Sequence, residues 1–339
     1  MQTTNIAAKT HQGKLKIGDD WNAITIIALS QSNPLKAVAE FVENSIDAGA
    51  RNITVTRGRE RGEQYLRVTD DGEGIPRAGS GVPDFKFVAT HICDSIKRQL
   101  KAGGASGVQG EFGIGLLSFW TVGDRLSLVN SDSDGRVYEM RLQKGNPNYR
   151  VRRSRRLFPV QGTELTVKPL LSGVRSLSGE KIQWYLASEL RDRIRSRGVR
   201  IRVVDRTARK EFRVEPRKFD GSLLRRLPAA SCSLGQICVE LYLADPEQSA
   251  GVGLYRSGTR VLESISTLER FDAPPWNDGR LEGVIDVPFL RLTPGTRLGI
   301  IHDEAYSRFE SALRPVEAAL QGSSTNSGGP RRSRHRARS

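Results

Sequence analysis

Three short motifs in a fixed order constrain this chain more than anything else in it. The first is Glu40-Phe41-Val42-Glu43-Asn44-Ser45-Ile46-Asp47-Ala48, the second Asp70-Asp71-Gly72-Glu73-Gly74-Ile75-Pro76, and the third Gly110-Glu111-Phe112-Gly113-Ile114-Gly115. Glu40 and Asn44 stand one helical turn apart, so their side chains point the same way. A carboxylate there can polarise a water, and an amide oxygen one turn on can ligate Mg²⁺, which prefers hard oxygen donors. Taken alone, the pair is better read as a polar helix edge in solvent. Asp70 stands at a strand-to-loop corner whose glycines, Gly72 and Gly74, permit a sharp turn and a close backbone approach to a flat ring. A buried carboxylate at that corner accepts from the exocyclic amine of adenine and rejects guanine, whose carbonyl leaves it unpaired. Alone, it is an ordinary Asp-Gly turn. Gly110, Gly113 and Gly115 run into the apolar Leu116-Leu117-Ser118-Phe119-Trp120, and glycine amides at a helix N-terminus cradle phosphate. The three together predict a nucleotide site without a P-loop, since no GxxxxGK[ST] occurs in the chain.

The surrounding pattern predicts elements that carry these motifs. Asn33-Pro34 opens a helix to about Ala48 that Gly49 ends, with Val38, Ala39, Val42 and Ile46 as its apolar stripe. Glu40, Asn44 and Asp47 are expected on a separate common face. A hairpin is expected near 52–56 and 65–69, a lid over 77–109 with a helical piece near 87–100, and a helix over 114–122. Strands near 125–129, 137–142, 149–153 and 164–167 complete a first sheet. Beyond residue 168, one helix over 180–196, strands near 199–204, 210–214, 236–243, 252–256 and 283–287, and a last helix over 303–320 form a smaller α+β unit. The expected division is therefore a flexible segment 1–20, a domain 21–168, a second domain 169–320 and a disordered Arg-rich tail 321–339.

Charge is unevenly placed. The net charge of the chain is +15, yet residues 151–226 alone carry +13 and the tail +5, while 227–320 carry −5. A localised basic excess meets an anion, and nucleic acid is the partner expected of the 151–226 segment and the tail. The plainer alternative is an Arg-rich solvated face. No apolar run approaches the ~18 residues of a membrane helix, and the first twenty residues lack the apolar core of a signal peptide, so a cytoplasmic setting away from membranes is expected. Three cysteines and four scattered histidines form no disulfide framework, zinc site, nuclease or protease motif.

The motif triplet resembles the GHKL ATPase superfamily of gyrase B subunits, the ninety-kilodalton heat-shock chaperone, histidine kinases and MutL. Gly162-Thr163-Glu164-Leu165-Thr166-Val167 is similar to the strand that closes the adenine pocket in gyrase B and MutL. Ala37 to Asn44 looks most like MORC and MutL proteins, and the phosphoacceptor hairpin of histidine kinases is missing. The resemblance implies a Bergerat-type α/β sandwich, a mixed and largely antiparallel sheet covered by helices, followed by a transducer-like α+β domain. It implies ATP and Mg²⁺ as cofactors, Glu40 as general base, Asn44 as Mg²⁺ ligand and Asp70 as adenine reader supported by Thr163. Gly72 and Gly74 shape the pocket, Gly110, Gly113 and Gly115 bind phosphates, and Asp47, Ile75, Phe112 and Ile114 line the site. Arg297 is the candidate for the basic transducer residue on the γ-phosphate, where the family usually has lysine; Thr90 and Lys97 are candidate lid contacts. A homodimer formed on ATP binding, acting on nucleic acid or with a protein effector, is the expected activity. A heat-shock-like chaperone and a non-hydrolysing ATP sensor are the alternatives.

Overall fold

The computed structural model describes residues 21, 25, 28, 29, 33–77, 81–86, 88, 114–157, 161–174, 177–245, 251–293 and 299–325. The helix α1 (Pro34–Asp47) forms for local reasons. Asn33 Oδ1 caps it by accepting from the Leu35 N–H at 2.9 Å, and Pro34 sits in the first turn, where its missing N–H costs nothing. The helix stops at Ala48, whose N–H closes on Asn44 O, and Gly49 turns the chain away with φ +75°. Its predicted stripe, Val38, Ala39, Val42 and Ile46, is buried, joined by Phe41.

That stripe lies in a core built over an eight-stranded sheet. Its strands are β1 (Asn52–Glu60), β2 (Glu63–Asp70), β3 (Gly123–Ser131), β4 (Val137–Gln143), β5 (Tyr149–Ser154), β6 (Glu164–Leu170), β7 (Arg200–Asp205) and β8 (Lys210–Val214). Their spatial order is β5-β4-β3-β6-β2-β1-β7-β8, antiparallel throughout except for the parallel β1–β7 pair. The fold is thus a mixed, largely antiparallel α+β structure, as expected. The break anticipated at residue 168 falls inside β6, however, and the sheet continues through β7 and β8. One hydrophobic cluster runs from Ala28 to Val214, so Ile201 and Val203 of β7 share a core with Val55 of β1 and with Ile182, which precedes them in the chain.

The helix expected over 180–196 is two helices, α3 (Gly179–Glu189) and α4 (Arg191–Arg197). Leu190, at φ −109° and ψ 19°, leaves helical geometry between them while its side chain stays in the core. Upstream, the helix expected over 114–122 is one turn of α2 (Ile114–Leu117) and then 3₁₀ over Ser118–Thr121. There the Ser118 and Thr121 hydroxyls donate back to the carbonyls of Gly115 and Ser118, which tightens the turn.

A second sheet joins β9 (Ser222–Leu223), β10 (Ala230–Cys232), β11 (Gly235–Leu243), β12 (Val252–Arg256), β13 (Thr259–Leu262) and β14 (Leu281–Asp286), in the order β10-β11-β14-β12-β13 with β9 beside β11. Strands β9, β10 and β13 were not anticipated; β12 and β13 form a hairpin whose Ser257 and Gly258 both have positive φ. The helix α5 (Glu304–Thr325) covers this sheet through Tyr306, Phe309, Leu313 and Val316, and it continues past Leu320 into the stretch expected to be disordered. No helix among the described residues is long and apolar enough to cross a membrane.

The two cores meet on the side of α1 that carries Lys36 and Glu43. Lys36 and Arg260 both pair with the buried carboxylate of Glu189, and Lys36 Nζ also donates to Arg260 O at 3.1 Å. Two turns along α1 from Lys36, Arg193 of α4 donates to Glu43 Oε1 at 2.8 Å and to Asp47 Oδ1 at 2.5 Å, while Thr259 Oγ1 donates to Glu43 at 2.7 Å.

Candidate functional site

The strand β2 alternates, with Leu66 and Val68 on the helix-covered face, and the same parity places Asp70 there at its end. Asp70 is buried, and four donors hold its carboxylate. Oδ1 accepts from the backbone N–H groups of Gly72 (3.0 Å) and Thr163 (3.2 Å), and Oδ2 accepts from Ser45 Oγ (2.8 Å) and from Thr163 Oγ1. Asp70 N–H in turn donates to Thr163 O at 3.0 Å. The expected partnership of Asp70 with Thr163 is therefore present. Ser45, one residue beyond Asn44, joins it. The sequence signal for Ser45 was its place on α1, where i and i+4 spacing from Phe41 turns it toward the sheet.

The glycines of the second motif are dictated by contact. A Cβ on Gly72 would stand 2.7 Å from Ala48 O. Gly74 has φ +80°, and a Cβ there would stand 2.4 Å from the Asn130 amide. Gly162 is the tightest, with φ +93° and a virtual Cβ 2.0 Å from Asp70 O. These approaches press the end of β2, the loop after it and the start of β6 into one unit. Ile75 is buried in the core beside them. Asp71 faces the other way, accepting from Arg51 N–H, Asn52 N–H and the Asn52 amide. Burial alone would raise its carboxyl, but those bonds hold it below the ordinary range.

The first and third motifs converge at Gly115. A Cβ on Gly115 would lie 3.3 Å from Glu40 Oε2 and 3.9 Å from Asn44 Nδ2, so both side chains face the opening turn of α2. Glu40 is buried, whereas a polar helix edge in solvent would be exposed. The expected base, Glu40, and the expected Mg²⁺ ligand, Asn44, are thus brought together at that turn. Asp47, expected on the same face, has its carboxylate on Arg193. Gly110, Phe112 and Gly113, the side chain of Ile114, the lid residues Thr90 and Lys97, and Arg297 lie outside the described residues, as do segment 1–20 and residues 326–339.

One further polar residue belongs to this region and was missed. Asn130 of β3 is wholly buried; its Nδ2 donates to Gly162 O at 2.7 Å. The signal available was parity: Leu126 and Leu128 set the core-facing positions of the strand, and the next such position is an asparagine.

Comparison with known proteins agrees with this geometry. Residues 32–148 match the family described as histidine kinase-, DNA gyrase B-, and HSP90-like ATPase. The DNA mismatch repair protein MutL of Mesorhizobium japonicum is 33% identical over 122 residues, covering 33% of this chain and 18% of that protein. The MutL proteins of Clostridium botulinum (strain ATCC 19397 / Type A) and Caldanaerobacter subterraneus subsp. tengcongensis are 52% and 57% identical over 42 residues, 12% of this chain and 6% and 7% of theirs. The chain thus matches less than a fifth of the length of these relatives. Residues 32–148, the span of the family match, hold both the Asp70 corner and the Glu40–Asn44 helix face, so the site described above lies in the part of the chain that is similar to the ATPase domain of that family.

Proposed function

We propose that the chain is a Mg²⁺-dependent ATPase that works as a conformational switch, dimerising on ATP and acting on nucleic acid. The observation that carries the ATPase reading is the pairing of two prepared groups, both of which α1 helps to build. Ser45 and Thr163 fix the Asp70 carboxylate to read the adenine amine, and Glu40 and Asn44 face Gly115, where the phosphates would lie. In this reading Glu40 orients the attacking water and takes its proton. The amide of Asn44 helps hold the cation, which when bound would neutralise charge developing on the phosphates. Glycine amides around Gly110, Gly113 and Gly115 cradle the phosphates, and Arg297 reaches the γ-phosphate from the second half. The chain divides functionally into this ATP-binding domain and a transducer-like unit built on the second sheet. The latter holds α1 through Arg260 O on Lys36 and the Thr259 hydroxyl on Glu43.

Support for nucleic acid comes from charge and from what the relatives are called. The edge strand β5 and the residues after it expose Arg150, Arg152, Arg153, Arg155 and Arg156. Part of the basic excess is matched within the chain, since Arg152, Arg156, Arg191, Arg193 and Arg195 all pair with carboxylates. The test is ATP hydrolysis by the native chain, Glu40→Ala and Asp70→Asn, with and without duplex DNA. Both variants should lose hydrolysis, by roughly 10²–10⁴-fold for the general base. Glu40→Ala should keep ATP affinity, and Asp70→Asn should weaken it. Phosphate release that survives Glu40→Ala would refute the assigned base. DNA affinity that does not fall steeply between low and high salt would refute the nucleic-acid part.

A further inference from the structure

Asp70, Thr163 and Asn130 stand in a row. In the β2–β6 register Thr69 faces Glu164, which brings Asp70 opposite Thr163; in the β3–β6 register Val129 faces Glu164, which brings Asn130 opposite Thr163 from the other side. All three lie on the sheet face that α1 covers, in line with Leu66 and Val68 on one strand and Leu126 and Leu128 on the other. Asn130 is the end of this row. Its Nδ2 holds Gly162 O, and its amide fills the space that a side chain on Gly74 would take. It therefore touches both loops that frame the Asp70 carboxylate. Its Oδ1 is buried and, among the described residues, has no hydrogen-bond partner. A buried amide oxygen left unpaired is destabilising, so an orphan beside a ligand pocket is a position prepared for a donor that arrives with the ligand.

We propose that Asn130 is a purine-specificity residue. Its Nδ2 locks Gly162 and Gly74 so that Asp70 and Thr163 meet the adenine amine in register. Its Oδ1 accepts a hydrogen bond from a water that the bound base orders against that row. Asn130 acts through Asp70 and Thr163 and is a positioning residue, not a catalytic one. An apolar side chain of similar size would fill the space and make neither bond. This rests on the ATP reading of the site.

The test compares two ligands, ATP and purine riboside triphosphate, which lacks the C6 amine and is otherwise the same molecule. Affinities for both are measured by calorimetry on the full chain, native and with Asn130→Leu, Asn130→Ser as a smaller variant that leaves room for a water, and Asp70→Asn as the reference for loss of amine reading. The native chain should prefer ATP. In Asn130→Leu the ATP affinity should fall about tenfold while that for the analogue changes little, so the preference collapses toward that of Asp70→Asn; Asn130→Ser should retain part of it. A purely structural role would weaken both ligands equally and leave the preference intact in whichever variants fold, and that result would overturn the proposal. Failure of the native chain to bind either ligand would instead refute the ATP reading itself.

Discussion

One carboxylate at the junction between the two cores is buried between two cations. Glu189, the last residue of α3, is shared by Lys36 of α1 and Arg260 of β13, and the three side chains are 3%, 3% and 7% exposed. Glu189→Gln keeps the shape and removes the charge, leaving two buried cations facing a neutral amide. Breaking a buried ion pair in this way costs about 3–5 kcal/mol, because the remaining charge is desolvated without compensation. The unfolding entropy of a chain this long, at about 2.1 cal/mol/K per residue over 339 residues, is about 0.7 kcal/mol/K. If the cores unfold together, the variant should melt about 4–7 °C below the native chain by circular dichroism. Replacing the whole triad, as Lys36→Met, Glu189→Leu and Arg260→Met, removes the charges along with the penalty and should recover most of the loss. A single variant that melts within about 1 °C of the native chain would refute the reasoning, since that is what a surface substitution does. So would a triple variant less stable than the single one.

Two other perturbations test separate parts of the fold. Gly162→Ala places a methyl 2.0 Å from Asp70 O at φ +93°, so the loop must move; it should cost about 1–3 kcal/mol and weaken ATP binding at least tenfold, measured by denaturant titration and calorimetry. Gly49→Ala, at φ +75° with open space around the added carbon, should cost about 1 kcal/mol and leave ATP affinity unchanged. The Glu139 carboxyl would be lifted by burial, but Arg141, Ser127 and Arg152 hold it down to about 2, against 4.5 for an ordinary glutamate. Its folded value is the lower one, so its stabilisation is complete above pH 4.5 and lost as the pH falls toward 2. Denaturation curves across that window should therefore be steeper in pH for the native chain than for Glu139→Gln; parallel curves would show that the cluster contributes nothing.

What the sequence made legible, and what it concealed, divides along locality. The helix α1 was readable because its cap, its proline, its stripe and its terminating glycine lie within seventeen residues, Asn33 to Gly49. The motif residues were readable as chemistry because they cluster on short turns. The membership of β7 and β8 in the first sheet was not, because β7 joins it by pairing in parallel with β1, about 150 residues earlier in the chain; the alternation of Ile201 and Val203 declares a buried face without naming its partner. The break at Leu190 was hidden for a related reason, since an apolar residue in helical phase looks the same whether its backbone is helical or only its side chain is buried. Asp47 shows the limit of spacing arguments from the other side. It shares a helical phase with Glu40, but two turns of rise carry it to the end of α1, where Arg193 of α4 pairs with its carboxylate. Asn130 is the instructive case between these extremes. A polar residue at a core-facing strand position conflicts locally with the pattern around it, and such a conflict persists only where the fold supplies partners or a ligand does. Here the fold supplies one partner, Gly162 O, to an amide that offers both a donor and an acceptor. The unmet half is the part of the site that only the bound state completes.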